Sequence, residues 1–366
     1  MRKSYNIILA GGGTGGHVFP AIAIARALKS KPYNVNILFV GARGKLEMTK
    51  VPQAGFDIVG LNIAGIQRRL TWRNLLVPFL LAGSLLKARK IIRRFRPDVV
   101  IGVGGYASAP VVREAARQGI PTLIQEQNSY PGVTNRILAR KARKICVAYE
   151  GMERYFDKSK LYVTGNPVRQ DILNLTGKYD DALSFFGLKA GKPVLLVTGG
   201  SLGAATINAA VAAHLTAFAG SGIQLIWQTG RNYYRQAQAL VDTADMEGVT
   251  VNAFIDRMDY AYAAADVVVS RAGAIAVSEL CAVQKPAILI PSPNVAEDHQ
   301  TKNAMTLVHS NAAIMISDSE AVDRLGDMVT GLIFDTDKKH KLTEKMAGLA
   351  YHNAADVIAE AAIGLI

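Results

Sequence analysis

The feature that most constrains this chain is a pattern that occurs twice, in which a short apolar run ends in a cluster of glycines. Residues 6–10 lead into GGGTGGH at 11–17, and residues 193–198 lead into GGSLGA at 199–204. A buried strand, a glycine-rich turn and a helix, in that order, are typical of the unit that opens a parallel α/β sheet. Two such units predict two α/β domains.

Further apolar runs, separated by helical patterns such as 20–28, 84–95 and 205–219, follow each of these openings. They predict strands at 6–10, 35–40, 58–61, 99–103, 122–125 and 144–148, and then at 193–198, 223–228, 249–253, 267–270, 287–290 and 313–316. Near-continuous apolar strands alternating with helices indicate parallel sheets covered on both faces. The 366 residues suit two such domains. We place them at 1–164 and 165–349, with a last helix at about 350–366 that could pack on either domain, and we expect a ligand cleft where the two face each other.

Charge and composition narrow the classes of function. The net charge is +13, and residues 1–165 carry 27 Lys and Arg against 8 Asp and Glu, whereas the remainder is mildly acidic. A basic half suits nucleic acid, anionic lipid or a polyphosphate substrate. The two cysteines lie in no metal-binding spacing, so we expect neither a metal site nor a disulfide. No apolar run approaches the roughly 18 residues of a membrane span, and the N-terminal one is too short for a signal sequence. We therefore expect a cytoplasmic protein without an anchor of its own.

The first glycine loop is compatible with several ligands. It fits the GxGxxG pattern, but an NAD site needs a carboxylate at the end of the next strand, and residues 39–43 offer none. NADP remains possible through Arg43, and no GK[ST] follows to make a Walker loop. What remains is a turn that presents N–H groups to an anion, with His17 as a candidate catalytic residue. The alternative is a tight turn without a ligand.

Other polar or small-residue loops also follow predicted strands. Residues 102–108 could hold an anion or a sugar, and the side chains at 125–129 suit sugar hydroxyls. Residues 199–204 suit a phosphate, which Arg169 could pair with. In 270–279, Gly273 would open a helix toward a phosphate and Glu279 could accept ribose hydroxyls. Residues 294–301 could form a loop over a sugar. Each could also be an ordinary turn or solvated surface.

An apolar stretch rimmed by nine basic residues lies at 66–96. Leu75, Leu76, Phe79 and Leu80 can share one helical face. This composition suits an anionic membrane surface. Core helices with a solvated charged face are the alternative.

The glycine-rich and polar loops described above, with FIDRM at 254–258 and EDHQTKNA at 297–304, resemble the motifs of the MurG family of N-acetylglucosaminyltransferases. They occur in the order of that family along nearly the whole chain. The resemblance implies a GT-B fold, in which the last helix returns to the first domain. It implies inverting transfer of N-acetylglucosamine from UDP-GlcNAc to the muramyl 4-hydroxyl of undecaprenyl-linked lipid I, which gives lipid II for peptidoglycan. It also implies work at the cytoplasmic face of the membrane, no cofactor or metal, and possible cell-wall and division partners. A nucleic-acid-binding protein and an NADP oxidoreductase are the weaker alternatives, and the sequence carries no RNA- or DNA-binding signature.

The resemblance also assigns residues. It implies that Ile255 contacts uracil through its backbone, that Ala274 and Ile275 cap the phosphates, and that Glu279 holds the ribose. The further UDP-GlcNAc contacts are Thr14, Gly15, Gly16, Asn128, Arg169, Ser201, Ala276, Val277, Ser278 and Gln300. The acceptor side takes Gly104, Gly105 and Tyr106. His17 is the candidate base, with Glu126 in reserve. Thr301 stands where some members of the family carry a second Gln, so we leave it out of the site.

Overall fold

The computed structural model describes residues 4–63, 77–244 and 246–366. It divides the chain into two compact units, one formed by Met1–Arg169 with Asn353–Ile366 and the other by Gln170–His352. The boundary that we expected at 164/165 lies just before this division.

The described part of the first unit holds a seven-stranded parallel sheet in the order β3-β2-β1-β4-β5-β6-β7. Its strands are β1 (Ser4–Ala10), β2 (Asn34–Ala42), β3 (Asp57–Leu61), β4 (Val99–Gly102), β5 (Thr122–Glu126), β6 (Lys144–Val147) and β7 (Leu161–Val163). The helices before residue 140 are α1 (Gly15–Ser30), α2 (Glu47–Gln53), α3 (Val77–Phe95), α4 (Ser108–Arg117) and α5 (Val133–Ala139).

Strand β1 shows why the apolar runs are continuous. Ile7 and Leu9 belong to the core on one face of the sheet, whereas Ile8 and Ala10 belong to the core on the other face. Side chains alternate between faces along a strand, so a strand covered on both sides is apolar at most of its positions. For this reason the predicted strands coincide with observed ones.

Strand β7 was not predicted from the sequence. This edge strand pairs only with β6 among the described strands, and its Tyr162 and Val163 are exposed. A strand that buries so little shows no apolar run to predict it.

The second unit holds, within its described residues, a six-stranded parallel sheet in the order β10-β9-β8-β11-β12-β13. The strands are β8 (Val194–Thr198), β9 (Gln224–Gln228), β10 (Val249–Asn252), β11 (Val267–Ser270), β12 (Ala287–Leu289) and β13 (Ile314–Met315). The helices are α6 (Tyr179–Phe186), α7 (Ala205–Gly220), α8 (Arg231–Thr243), α9 (Met258–Ala264), α10 (Ala274–Val283), α11 (His299–His309), α12 (Ala321–Ile333) and α13 (Thr336–Ala347).

The last helix, α14 (Ala354–Ile363), packs on the first unit. Ala355, Ile358 and Ala359 join the core that contains Ile7 and Leu9. Lys31, which follows α1, forms ion pairs with Asp356 at 3.1 Å and Glu360 at 2.8 Å. The apolar pattern of this helix leaves its partner open, and the family resemblance implies the first domain; these contacts place the helix on the first unit.

In each sheet the strand order reverses at one place, between β1 and β4 in the first unit and between β8 and β11 in the second. Loops at the carboxyl ends of such neighbouring strands diverge to opposite faces and leave a crevice for a ligand. The glycine loops at 11–17 and 103–107 therefore flank one such place, and those at 199–204 and 271–273 flank the other.

Candidate active site

The two glycine loops of the first unit pack backbone to backbone. A Cβ at Gly105 would overlap the carbonyl oxygen of Gly12, and a Cβ at Gly11 would lie 2.7 Å from the carbonyl oxygen of Gly104. Gly105 also has φ +78°, in the left-handed region that favours glycine. The glycines are therefore required for this close approach.

His17, in the first turn of α1, lies where the two loops meet. Its Nδ1 is 3.2 Å from Oγ1 of Thr14, and its half-buried ring rests against Gly104, where a Cβ would be 2.9 Å from Nε2. When Nδ1 donates to the Thr14 hydroxyl, Nε2 is the unprotonated nitrogen and can accept a proton. The structure thus brings together Thr14, His17 and Gly104 from the predicted set.

The first loop is not a simple anion site. Its Gly13 N–H donates to Oε2 of Glu47 at 2.9 Å, so this group is already bonded to a carboxylate. The sequence predicts that the loop's N–H groups face the anion of a ligand, whereas that of Gly13 faces a carboxylate of the protein itself. Glu47 was not predicted as part of the site, because a carboxylate that binds a ribose is expected at the end of β2, whereas Glu47 begins α2 a few residues later.

The polar run at 125–129, which begins in β5, is mostly interior, and this corrects its assignment to sugar hydroxyls. Gln125 and Gln127 are buried, and each bonds within the protein: Gln125 donates to Oδ1 of Asn166 at 3.0 Å, and Gln127 donates to the carbonyl of Val103 at 2.8 Å. These two amides link residues 125–127 to the segment 164–169 and to the second glycine loop. Asn128 and Ser129 remain half-buried at the surface.

Glu126, the reserve base, has its carboxylate surrounded by donors. Oε1 accepts from the backbone N–H and the side-chain amide of Asn128 at 3.0 and 3.1 Å. Oε2 accepts from Gly132 N–H at 3.0 Å and Asn135 Nδ2 at 2.9 Å. A carboxylate has about four acceptor positions, and the side chain is buried. This arrangement suits a residue that orders the Asn128 loop and the start of α5, rather than a base.

In the second unit, Gln228 connects the loops after β8 and β10. Its Nε2 donates to Thr198 Oγ1 and to the Gly200 carbonyl, each at 3.0 Å, while its Oε1 accepts from Ile255 N–H at 2.8 Å. Because its N–H is bonded in this way, Ile255 would contact a nucleobase through its backbone carbonyl. The sequence offered no signal for Gln228, which ends an apolar strand.

The loop at 254–258 is fixed by charge as well. Arg257 donates two hydrogen bonds of 2.9 Å to Asp259, and Lys178 adds one of 3.0 Å. The Arg257 hydrogen bonds, with Lys178, hold the pKa of Asp259 well below its usual range. Asp259 therefore stays ionised and keeps the turn before α9 in place.

Helix α10 begins at Ala274, with Gly273 as its N-cap, as predicted. The preceding turn is held from three sides. Arg271 donates to the carbonyls of Ile290 and Pro291 and to Asp318, and the buried Asn303 donates to the carbonyl of Ala272. The helix start is thus a rigid set of N–H groups at the carboxyl end of β11, suited to an anion.

Glu279 lies in the second turn of α10 and is only 6 % exposed. Tyr262 donates to its Oε2 at 3.2 Å. This burial rules out the solvated helix carboxylate that we held as the alternative. Val277 is also an interior side chain, and the hydroxyl of Ser278 donates to the Ala274 carbonyl of the same helix. Ile275 and Ala276 are half-buried.

Three other predicted residues have distinct surroundings. Gln300 lies on helix α11 rather than in a loop, and its Oε1 accepts from Ser292 N–H at 2.9 Å. Ser201 is exposed in the loop after β8. Arg169 stacks on the ring of Phe19 within the first unit, at 5.7 Å from the ring centre.

On α3, Phe79 is 77 % exposed and Leu86 is 69 % exposed, while Leu80 is half-buried. Leu75 and Leu76 lie outside the described residues. Tyr106, beside the second glycine loop, is also exposed. Among the helices the structure describes, none is long and apolar enough to cross a membrane.

The model of the glycosyltransferase family 28 N-terminal domain matches residues 7–147, and that of the family 28 C-terminal domain matches 194–360. A protein of Parabacteroides distasonis, named UDP-N-acetylglucosamine–N-acetylmuramyl-(pentapeptide) pyrophosphoryl-undecaprenol N-acetylglucosamine transferase, is 52 % identical over all of this chain and 99 % of its own length. A protein of the same name from Flavobacterium psychrophilum is 50 % identical, over all of this chain and 98 % of its own.

Among solved structures, that of Acinetobacter baumannii MurG is 28 % identical, with a TM-score of 0.75, and covers 98 % of this chain and 99 % of its own. The predicted fold class, two parallel α/β domains of the GT-B type, is confirmed by this match and by the two sheets. The resemblance drawn from the motifs is confirmed by relatives that match from end to end. The chain therefore belongs to glycosyltransferase family 28.

Proposed function

We propose that this protein transfers N-acetylglucosamine from UDP-GlcNAc to the muramyl 4-hydroxyl of lipid I, giving lipid II and UDP. The observation that carries the proposal is the buried Glu279 behind the rigid N-terminus of α10, a pairing suited to a ribose and a diphosphate. The end-to-end similarity to transferases with this name supports the same substrates.

The second unit supplies the donor contacts. The N–H groups at Ala274 and Ile275 take the diphosphate, with Ser201 beside it, and Glu279 takes the ribose hydroxyls. Gln300 offers its amide N–H groups to the sugar, because its Oε1 is held by Ser292. Helix-start N–H groups stabilise the charge that develops on the leaving UDP.

The first unit supplies the acceptor side. Thr14, Gly16, Gly104 and Tyr106 surround the position of the acceptor sugar, and Nε2 of His17 is the proton acceptor. The 4-hydroxyl oxygen attacks C1 of GlcNAc, and the bond from C1 to the β-phosphate oxygen breaks. The electron pair of that bond leaves on UDP, and the hydroxyl proton passes to His17. Inversion at C1 follows from a single displacement.

A direct test combines the purified chain with UDP-GlcNAc radiolabelled in the sugar and a lipid I analogue with a short isoprenyl chain. We expect label in the lipid product and one UDP released for each sugar transferred. Release of UDP or loss of donor without label in the lipid would contradict the proposal.

We further propose that the first unit attaches to the cytoplasmic leaflet through the exposed face of α3. Phe79 and Leu86, seven residues apart, lie on one side of the helix, and the basic residues Lys90 and Arg93 continue that side. The apolar side chains would enter the headgroup region, while each nearby cation adds about 1 kcal/mol on anionic lipid. The lipid-linked acceptor gives the enzyme a reason to be there.

Vesicle binding tests this attachment. Complete burial of a Phe or Leu side chain is worth about 1.5–3 kcal/mol, so the double variant Phe79→Ser, Leu86→Ser should bind phosphatidylglycerol vesicles at least tenfold more weakly. Its turnover of a water-soluble acceptor should be unchanged. The matched control is Phe334→Ser with Val322→Ser, which removes two exposed apolar side chains from the second unit. Equal vesicle binding by the α3 variant and the wild type would refute this surface.

A further inference from the structure

Glu47 connects the first glycine loop to the end of β2. Its Oε2 accepts from Gly13 N–H at 2.9 Å and its Oε1 accepts from Ala42 N–H at 2.8 Å. The side chain is 1 % exposed. Both oxygens of a buried carboxylate are thus used by backbone groups from two different segments of the chain.

Two glycines make room for this carboxylate. A Cβ at Gly41 would lie 2.5 Å from Cγ of Glu47, and a Cβ at Gly12 would overlap the carboxylate itself. Gly12, at φ +143°, could not carry a larger side chain without strain. The loop and the carboxylate therefore fit each other in one arrangement.

This arrangement is transmitted to His17 by backbone packing. The loop held by Glu47 contacts Gly105 through the Gly12 carbonyl, and the adjacent Gly104 supports the His17 ring. The same loop carries Thr14, whose hydroxyl lies beside Nδ1 of His17. Movement of the loop by a fraction of an ångström would thus move the imidazole and its Thr14 partner together.

We propose that Glu47 is a positioning residue for the acceptor side of the transfer, acting through the first glycine loop on Thr14 and His17; this rests on the function proposed above. Glu47 touches no substrate. It fixes the loop with charge-assisted hydrogen bonds, which are stronger than neutral ones. Because an anion already holds Gly13 N–H, the group is engaged in support and is not offered to a substrate phosphate.

The test is Glu47→Gln in the full chain. The amide keeps the shape, but its NH₂ replaces one oxygen and faces a backbone N–H, so one of the two bonds is lost. Small misplacements of catalytic groups cost up to about 100-fold in rate. We expect kcat to fall by about 10- to 100-fold. The KM for UDP-GlcNAc should stay within about twofold of the wild type, because the proposed donor contacts lie on the second unit.

Glu114→Gln is the matched control. Glu114 is a buried carboxylate of the same unit, and it accepts hydrogen bonds from Arg117 and Gln118 away from the glycine loops. This variant should lower Tm without lowering kcat, and hydrogen exchange in residues 8–20 should be faster only in Glu47→Gln. Equal losses of kcat in both variants, or a kcat for Glu47→Gln within about threefold of the wild type, would overturn the proposal.

If Glu47→Gln does not fold, Glu47→Asp provides the same test, since it keeps the charge but is one methylene too short to hold both N–H groups. A kcat for Glu47→Asp within about threefold of the wild type would also overturn the proposal, because the proposal requires a side chain long enough to bond both N–H groups. Failure of the function itself would appear differently, since the wild type would then transfer no sugar to the lipid acceptor.

Discussion

Replacing Glu279 with Gln removes the charge of the proposed ribose ligand while keeping its volume. Glu279 lies almost fully inside the second unit, with Tyr262 donating to one of its oxygens. The amide retains a single acceptor oxygen. One charge-assisted bond to the ribose is therefore lost, and water has little access to replace it.

A hydrogen bond to a charged group contributes about 1.5–3 kcal/mol. This corresponds to a Kd for UDP that is about 10- to 150-fold weaker. Tyr262→Phe is the control, because it removes the partner hydroxyl but leaves the carboxylate. Its Kd for UDP should remain within about threefold of the wild type, since a neutral partner contributes less.

Isothermal titration with UDP and with 2′-deoxy-UDP identifies the contact. If Glu279 holds the ribose hydroxyls, the wild type should bind the deoxy compound more weakly, whereas Glu279→Gln should lose much less on the same change. Such non-additivity is the signature of two groups that touch. Equal losses in the two proteins, or a Kd for UDP that Glu279→Gln leaves unchanged, would refute the reasoning.

Three further predictions follow from the same geometry. His17→Ala should lower kcat by roughly 10²–10⁴ while leaving the Kd for UDP nearly unchanged by calorimetry, and a fall of less than about tenfold would exclude it as the base. Turnover should persist in EDTA, because the N-terminus of α10 carries the diphosphate charge, and a complete loss reversed by Mg²⁺ would contradict this. Hydrogen bonds from Arg117 lower the pKa of Glu114 from 4.5 to about 2. The stabilisation that this carboxylate provides is therefore present above pH 4.5 and is lost as pH falls toward 2. Over this range the free energy of unfolding, measured by urea denaturation, should fall more for the wild type than for Glu114→Gln.

Local sequence patterns were enough to predict the two sheets and the glycine loops that follow their strands. Buried parallel strands are apolar at most positions, so β1, β4, β8 and β11 can be recognised in the sequence as nearly continuous apolar runs. The glycines at 11–16 and 199–203 follow those runs directly. Because both signals are local, short stretches of sequence were enough to predict them.

The roles of the buried polar groups, in contrast, depend on tertiary contacts that the sequence does not show. The sequence does not indicate that four donors surround the carboxylate of Glu126. Gln125 was predicted as a sugar ligand, although its side chain bonds to Asn166. Glu47 and Gly13 are distant in sequence, and so are Lys31 and Glu360 on α14. A polar side chain needs a hydrogen-bond partner when it is buried. Which group becomes its partner depends on how whole helices and strands pack, and a local sequence pattern does not contain that information.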